Sequence, residues 1–266
     1  MAVRVAVCFF GLNRSLSVTL PSIERNIFGA LKAAGCEYRV FGGLMMPSTG
    51  FSNARSGEVN CMPEMDTLAS IPFANLVGID QGAFDQTINY GLFRPHHDHE
   101  YRDDFASIRN ILRELFSIRT VYSSVPKGEF DYFLFVRLDL YYHTPLDIVH
   151  AVNASQQYQG NVILTPGWQL WGGLNDRFAF APARVAEVYG HRLDMIPTYL
   201  NEVDEPLQAE RMLLYTFMRL GVHHEAYLGM IASRVRGNKQ IQPEFFDACM
   251  DNRDNAARFA AMLGKN

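Results

Sequence analysis

The residues best placed to do chemistry stand at the end of an apolar run. Phe133-Leu134-Phe135-Val136 passes directly into Arg137-Leu138-Asp139. In an open α/β sheet, ligands bind beyond the carboxyl ends of the strands. An aspartate there can hold a divalent cation against a diphosphate, because hard cations take carboxylate and phosphate oxygens. Arg137 offers a second route to the same anion through paired guanidinium hydrogen bonds. Asp176 and Glu210 are carboxylates of the kind that removes a proton from an attacking hydroxyl. Asp176 follows the pair Gly172-Gly173, which permits close backbone approach to a ligand. Trp168 and Trp171 flank that loop, with ring faces suited to stacking on a sugar. Near the N-terminus, Gly11 to Arg14 would present backbone N–H groups and one guanidinium to an anion. The spacing fits neither G-x-x-x-x-G-K-[ST] nor G-x-G-x-x-G, which argues against an ATPase and a dinucleotide enzyme.

Elements must carry these groups to one place. Residues 3–10 (VRVAVCFF) read as a buried parallel strand. A helix follows, with Thr19 or Ser22 as its cap, Pro21 in its first turn and Gly35 at its end. Residues 38–41 (YRVF) form the second strand. Residues 42–100 are rich in loop formers and are expected to hold long loops with one strand at 75–79 (NLVGI). The helix over 103–124 is the clearest element, capped by Asp103 or Asp104, with Phe105, Ile108, Leu112, Leu115, Ile118 and Tyr122 as its apolar stripe. Arg109 and Arg113 lie on its other face, either solvated or lining a ligand site. Strands follow at 132–136, 161–164 and 176–180, a short helix at 183–189, and a helix at 206–220 with Asp204 as cap. His96, His97 and His99 have the composition of a zinc site but lack a distant partner, and His223 or His224 could face a phosphate.

Composition narrows the field. The 266 residues are 48% hydrophobic and 20% charged, so the chain is globular rather than disordered. By size scaling it exposes roughly 11,700 Å² when folded. The net charge of −4 argues against a general nucleic-acid binder. No apolar run reaches the roughly 18 residues of a membrane span. Cys8, Cys36, Cys61 and Cys249 have no CxxC spacing, which suits a reducing, cytoplasmic setting, in which the sequons at Asn13 and Asn153 stay unmodified.

The order of these pieces resembles the GT-A nucleotide-sugar glycosyltransferases. Arg137-Leu138-Asp139 with the following Tyr141 to Asp147 is similar to their DxD region, with Arg137 in place of the first acid. Phe10-Gly11-Leu12-Asn13-Arg14 is similar to their first nucleotide-contacting loop. Trp171 to Phe180 resembles the Asn-Asp-Arg-Phe stretch of a glycosyltransferase-like subfamily. Leu207-Gln208-Ala209-Glu210 opens a late acidic helix, and Arg234-Val235-Arg236 resembles a closing basic pair. The resemblance covers most of residues 1–236. It implies a single α/β domain with a Rossmann-type mixed sheet flanked by helices, residues 1–140 binding nucleotide and 141–266 serving acceptor and catalysis. It further implies transfer of a sugar from a nucleoside diphosphate sugar to a glycan hydroxyl. Donor contacts would come from Phe10, Gly11, Arg14, Arg109, Arg113, Arg137, Asp139, Arg234 and Arg236. Acceptor contacts would come from Trp168, Trp171 and Asn175, and catalysis from Asp176 and Glu210. Mn²⁺ or Mg²⁺ would rest on Asp139 alone among the DxD positions. Two other readings stand beside this one. A non-catalytic nucleotide-sugar or glycan binder of the same fold would suit the incomplete DxD, and a nucleotidyltransferase has only Gly11 and Arg14 in its favour.

Overall fold

The structure is a computed structural model describing residues 2–53, 57–98 and 103–264. In chain order the elements are β1 (Arg4–Leu12), α1 (Leu16–Ile23), a π-helical turn (Glu24–Phe28), α2 (Gly29–Ala33), β2 (Glu37–Met46), β3 (Phe51–Asn53), β4 (Glu58–Cys61), β5 (Phe73–Asp80) and α3 (Gln81–Gln86). Then come α4 (Ala106–Ser124), β6 (Tyr132–Arg137), β7 (Leu140–Tyr142), α5 (Ile148–Gln157), β8 (Val162–Pro166), β9 (Ala179–Pro182), α6 (Ala186–Gly190) and α7 (Ile196–Glu202). The chain closes with α8 (Ala209–Leu220), β10 (His223–Tyr227), β11 (Ala232–Arg234) and α9 (Arg253–Met262).

Among the described residues, seven strands form one sheet in the order β10-β8-β9-β6-β1-β2-β5. Every pairing is parallel except those of β9, which runs against both β6 and β8. The result is the expected single α/β domain with a mixed sheet flanked by helices. The inner strands β1, β6, β8 and β9 read as apolar almost throughout because both faces are covered, whereas the edge strands β5 and β10 are more exposed. In β1, Val5, Val7 and Phe9 point into the core shared with α1 and α5, while Ala6, Cys8 and Phe10 point into the core beneath α4. Helix α4 buries Ile108, Leu112, Leu115, Ile118 and Val121 in that second core. The folded chain exposes 12,248 Å², close to the size-scaling expectation. Among the described residues no helix is long and apolar enough to cross a membrane.

Several boundaries differ from expectation, each for a local reason. Helix α1 starts at Leu16, so Thr19 and Ser22 lie inside it and buried. The Thr19 hydroxyl donates to the Leu138 carbonyl (2.6 Å), and the Ser22 hydroxyl accepts from the Tyr142 amide (3.0 Å). Pro21 lies within the same helix rather than in its first turn. Strand β2 continues through Gly42-Gly43 to Met46. A Cβ on Gly43 would stand 2.6 Å from the Val121 backbone nitrogen, so this glycine permits close packing of α4 on the strand. The region 42–100 holds the β3–β4 hairpin, β5, α3 and two 3₁₀ turns as well as loops. Asp103 accepts from the Ser107 amide (2.8 Å), yet α4 begins only at Ala106 because Asp104 and Phe105 adopt positive φ of 48° and 61°. The strand expected at 176–180 starts at Ala179, and α8 starts at Ala209 after Gln208, so Asp204 does not cap it.

Candidate active site

A cavity of about 580 Å³ opens beyond the carboxyl ends of the central strands. Gly11 and Leu12 from β1, Met45 from β2, Gln81 after β5 and Arg137 from β6 form its floor. The hairpin β3–β4 contributes Phe51 to Asn53 at one side, α4 contributes Asn110, Arg113 and Glu114, and the start of α8 contributes Glu210 and Arg211. β11 pairs antiparallel with β7, and the Val235 amide donates to the Asp139 carbonyl (2.8 Å). That short pairing brings Arg234 and Arg236, almost a hundred positions later in sequence, to the end of β6.

Of the residues expected to act, Gly11, Arg14, Arg113, Arg137, Trp171, Asp176, Glu210, Arg234 and Arg236 all line this cavity. Five others do not. Phe10 is fully buried in the core under α4. Asp139 is 2% exposed beneath Arg137. Trp168 is 2% exposed and spends its indole N–H on the Met230 carbonyl (3.1 Å), with the Arg177 guanidinium 4.9 Å from its ring. Asn175 is buried and braces its own loop, its Nδ2 donating to the Trp168 carbonyl (2.7 Å) and its Oδ1 accepting from the Arg177 amide (3.0 Å). Arg109 lies over the Tyr90 ring and lines an adjoining part of the same cleft. Arg113 reaches the rim but is held by Asp85, to which its Nε donates at 2.8 Å. The pair His223-His224 is also away from the cavity. His224 packs on Thr165 (2.9 Å) and Phe217, and burial lowers its pKa to about 4, so it is neutral. Of the histidine-rich segment, His96 meets the Glu205 carbonyl and His97 meets Asp103, while His99 lies outside the described residues.

The cavity gathers charges of both signs, joined where Arg137 meets Glu114. Its cationic wall is Arg14, Arg137, Arg177, Arg234 and Arg236. Arg137 sits astride Asp139, its Nε and Nη2 donating to the two carboxylate oxygens (2.8 and 3.0 Å), and its Nη1 donates to Glu114 (2.8 Å). Arg14 is within 3.5 Å of Asp139 and 3.2 Å of Glu58. Although burial opposes the charge, Arg137 and Arg14 hold Asp139 far below the usual carboxylate range. Arg234 is paired with Glu244 (2.6 Å), and Arg236 bonds to the Gln242 side chain (2.9 Å).

The anionic side is Glu114, Asp176 and Glu210. Glu114 and Asp176 are close enough for their charges to act on one another, and the buried Arg192 lies 3.7 Å from the first and 3.8 Å from the second, stacked on Tyr189. Burial, followed by the Asp176 charge, pushes Glu114 up to about 7 and Glu210 to about 8. Neighbouring carboxyl groups that titrate near neutrality can exchange a proton with a substrate hydroxyl. Gly173 makes this grouping possible. A Cβ there would fall 2.1 Å from the Glu210 carbonyl group, so only glycine lets the 168–175 loop touch the start of α8. Glu114 was not singled out in the sequence. The signal was present, because it lies on the polar face of the 103–124 helix with Asn110 and Ser117, one turn from each.

The residues do not fit the metal site expected at Asp139. Both of its oxygens are bonded to Arg137, its side chain is buried, and it does not face the cavity. Among the described residues, no group of three or more His, Cys, Asp or Glu side chains could hold a metal ion.

No family model matches the sequence, and no curated protein matches it. Among solved structures, the chain is similar to core-mannan synthase A from Aspergillus fumigatus in its Mn/GDP form, with a TM-score of 0.51 at 10% identity over 100% of this chain and 86% of that one. It also aligns with mouse xyloside xylosyltransferase 1 in its apo form (TM-score 0.42, 13% identity, 85% of each chain). The first likeness establishes the fold as GT-A-like.

Proposed function

We propose that the protein is a glycosyltransferase that moves a sugar from a nucleoside diphosphate sugar to a hydroxyl of a glycan acceptor. One observation carries this reading: at the carboxyl edge of a GT-A-like sheet, Arg14, Arg137, Arg177, Arg234 and Arg236 line one cavity with the carboxyl groups of Glu114, Asp176 and Glu210, of which Glu114 and Glu210 titrate near neutrality. The leaving diphosphate gains negative charge as the sugar departs, and guanidinium groups fixed beside it favour that charge. Asp176, assisted by Glu114, takes the proton from the acceptor hydroxyl as it attacks the anomeric carbon on the face opposite the diphosphate, which inverts the configuration. Glu210, largely protonated below pH 8, donates a hydrogen bond to the sugars. Trp171, 41% exposed at the cavity mouth, offers its ring to the acceptor. In this reading the division into a nucleotide half (1–140) and an acceptor half (141–266) is crossed twice. Glu114 works with the second half, and Arg234 and Arg236 work with the first.

The pH profile of Glu114 and Asp176 variants tests the catalytic pair. Asp176→Asn loses about 10²–10⁴-fold in kcat with the fold retained. Glu114 titrates at about 7, so Glu114→Gln is expected to remove whatever change in kcat the wild type shows across that pH. An Asp176→Asn protein with full kcat would overturn the assignment.

A further inference from the structure

The arginine wall is more crowded than ion pairing requires. Arg177 is nine-tenths buried, and among the described residues its only ion pair is a distant one to Glu244 at 4.0 Å and its Nη1 has no hydrogen-bond partner. Arg236 has no carboxylate within ion-pair distance among the described residues. The guanidinium charges also repel one another: Arg234 and Arg137 act on Arg177, and Arg234 and Arg14 act on Arg236. Burial foremost, and this repulsion after it, lowers both groups to about 10. The buried Nε of Arg14 likewise lacks a hydrogen-bond partner. Like charges gathered in a partly desolvated cavity cost stability unless an anion joins them. Guanidinium groups that line a cavity are donors from which phosphate oxygens accept in pairs, and Arg14, Arg177, Arg234 and Arg236 all line this one.

Asp139, the one acid of the DxD-like segment, is meanwhile spent on Arg137. A divalent cation seated there would have to displace a two-pronged ion pair and share its space with a guanidinium.

Resting on the glycosyl-transfer reading, we propose that this site binds the donor diphosphate without a divalent cation, with the guanidinium of Arg137 standing where a metal would stand and Arg14, Arg177, Arg234 and Arg236 completing an arginine cradle. Asp139 is a positioning residue in this arrangement. It fixes the Arg137 plane and leaves one edge of that guanidinium for the cavity and Glu114.

Calorimetric titration of the full chain with UDP, GDP, CDP, ADP and dTDP tests this, first in EDTA and then with Mn²⁺ or Mg²⁺. The expected result is that at least one nucleoside diphosphate binds in EDTA with an affinity that neither metal improves, and that adding protein lowers the electron paramagnetic resonance signal of free Mn²⁺ no further than the nucleotide alone does. Arg236→Gln, which breaks no ion pair among the described residues and is expected to fold with an unchanged melting temperature, weakens that binding by about tenfold or more. Binding that requires Mn²⁺ or Mg²⁺ overturns the metal-free cradle and leaves the donor-site reading standing. Binding in EDTA that Arg236→Gln leaves intact overturns the cradle. Absence of binding by every nucleotide, with or without metal, overturns both.

Discussion

Asp139 shows how a residue's surroundings reassign its task. From type and position alone it reads as the metal ligand, and removing it would then silence the protein without unfolding it. In the fold it is the buried counter-ion of Arg137, with Arg14 close behind. Removing one member of a buried ion pair leaves the other charge uncompensated, at a cost of about 3–5 kcal/mol. Arg137 keeps Glu114 and Arg14 keeps Glu58, so Asp139→Ala is expected to lower the stability measured by urea unfolding by a part of that amount. A melt matching the wild type would mean that the pair does not hold the strand end. The two tryptophans divide in the same way. Trp168, chosen for stacking on sugar, is a core residue under Arg177, and only Trp171 reaches the cavity.

At the scale of elements, the site depends on three junctions: the β11–β7 pairing, the hairpin beside Arg14, and the contact of the 168–175 loop with α8. Gly173 governs the last. Gly173→Ala forces a methyl against the Glu210 backbone, so a stability loss of about 1–3 kcal/mol is expected, together with a fall in kcat as Asp176 and Glu210 move apart. Chemical denaturation and steady-state rates read the two effects separately. These junctions also mark the limit of what the sequence discloses. Strand β6 and helix α4 were legible because their apolar residues repeat at the periods of buried strand and amphipathic helix. The extension of β2 through Gly42 and Gly43 was not, because glycines selected for close packing look like loop glycines. Arg234 and Arg236 were legible as a basic pair, but their partners Glu244 and Gln242 were not. Those contacts arise from a return of the chain along the 168–172 loop, where the Gln169, Leu170 and Gly172 amides donate to the carbonyls of Asp247, Ala248 and Met250. No periodicity marks such a segment. Glu114 was hidden for the opposite reason: an acid on a helix's polar face is ordinary until the fold sets Asp176 against it.

For the whole molecule, the net charge of −4 conceals two opposed clusters facing one cavity. Their titration should appear in global stability. Glu114 and Glu210 ionise at about 7 and about 8 in the fold, against an ordinary glutamate value of 4.5. Groups raised in this way favour the folded state fully below their unfolded value, and that contribution is lost as pH rises through the folded value. Stability is thus expected to decline between about pH 4.5 and 8 as these groups ionise, and the double variant Glu114→Gln, Glu210→Gln should flatten the decline. Asp139, lowered by its arginines, works in the opposite sense and withdraws its contribution only below about pH 4. The central claim, that this cavity transfers sugar rather than only holding its donor, is tested most directly by measuring nucleoside diphosphate release from a panel of UDP-, GDP-, CDP-, ADP- and dTDP-sugars, by the wild type and by Asp176→Asn. The expected result is steady release from at least one donor by the wild type, stimulated by a glycan acceptor and lost in the variant. Binding of a nucleoside diphosphate with no release from any donor sugar would contradict the claim and identify a non-catalytic binder.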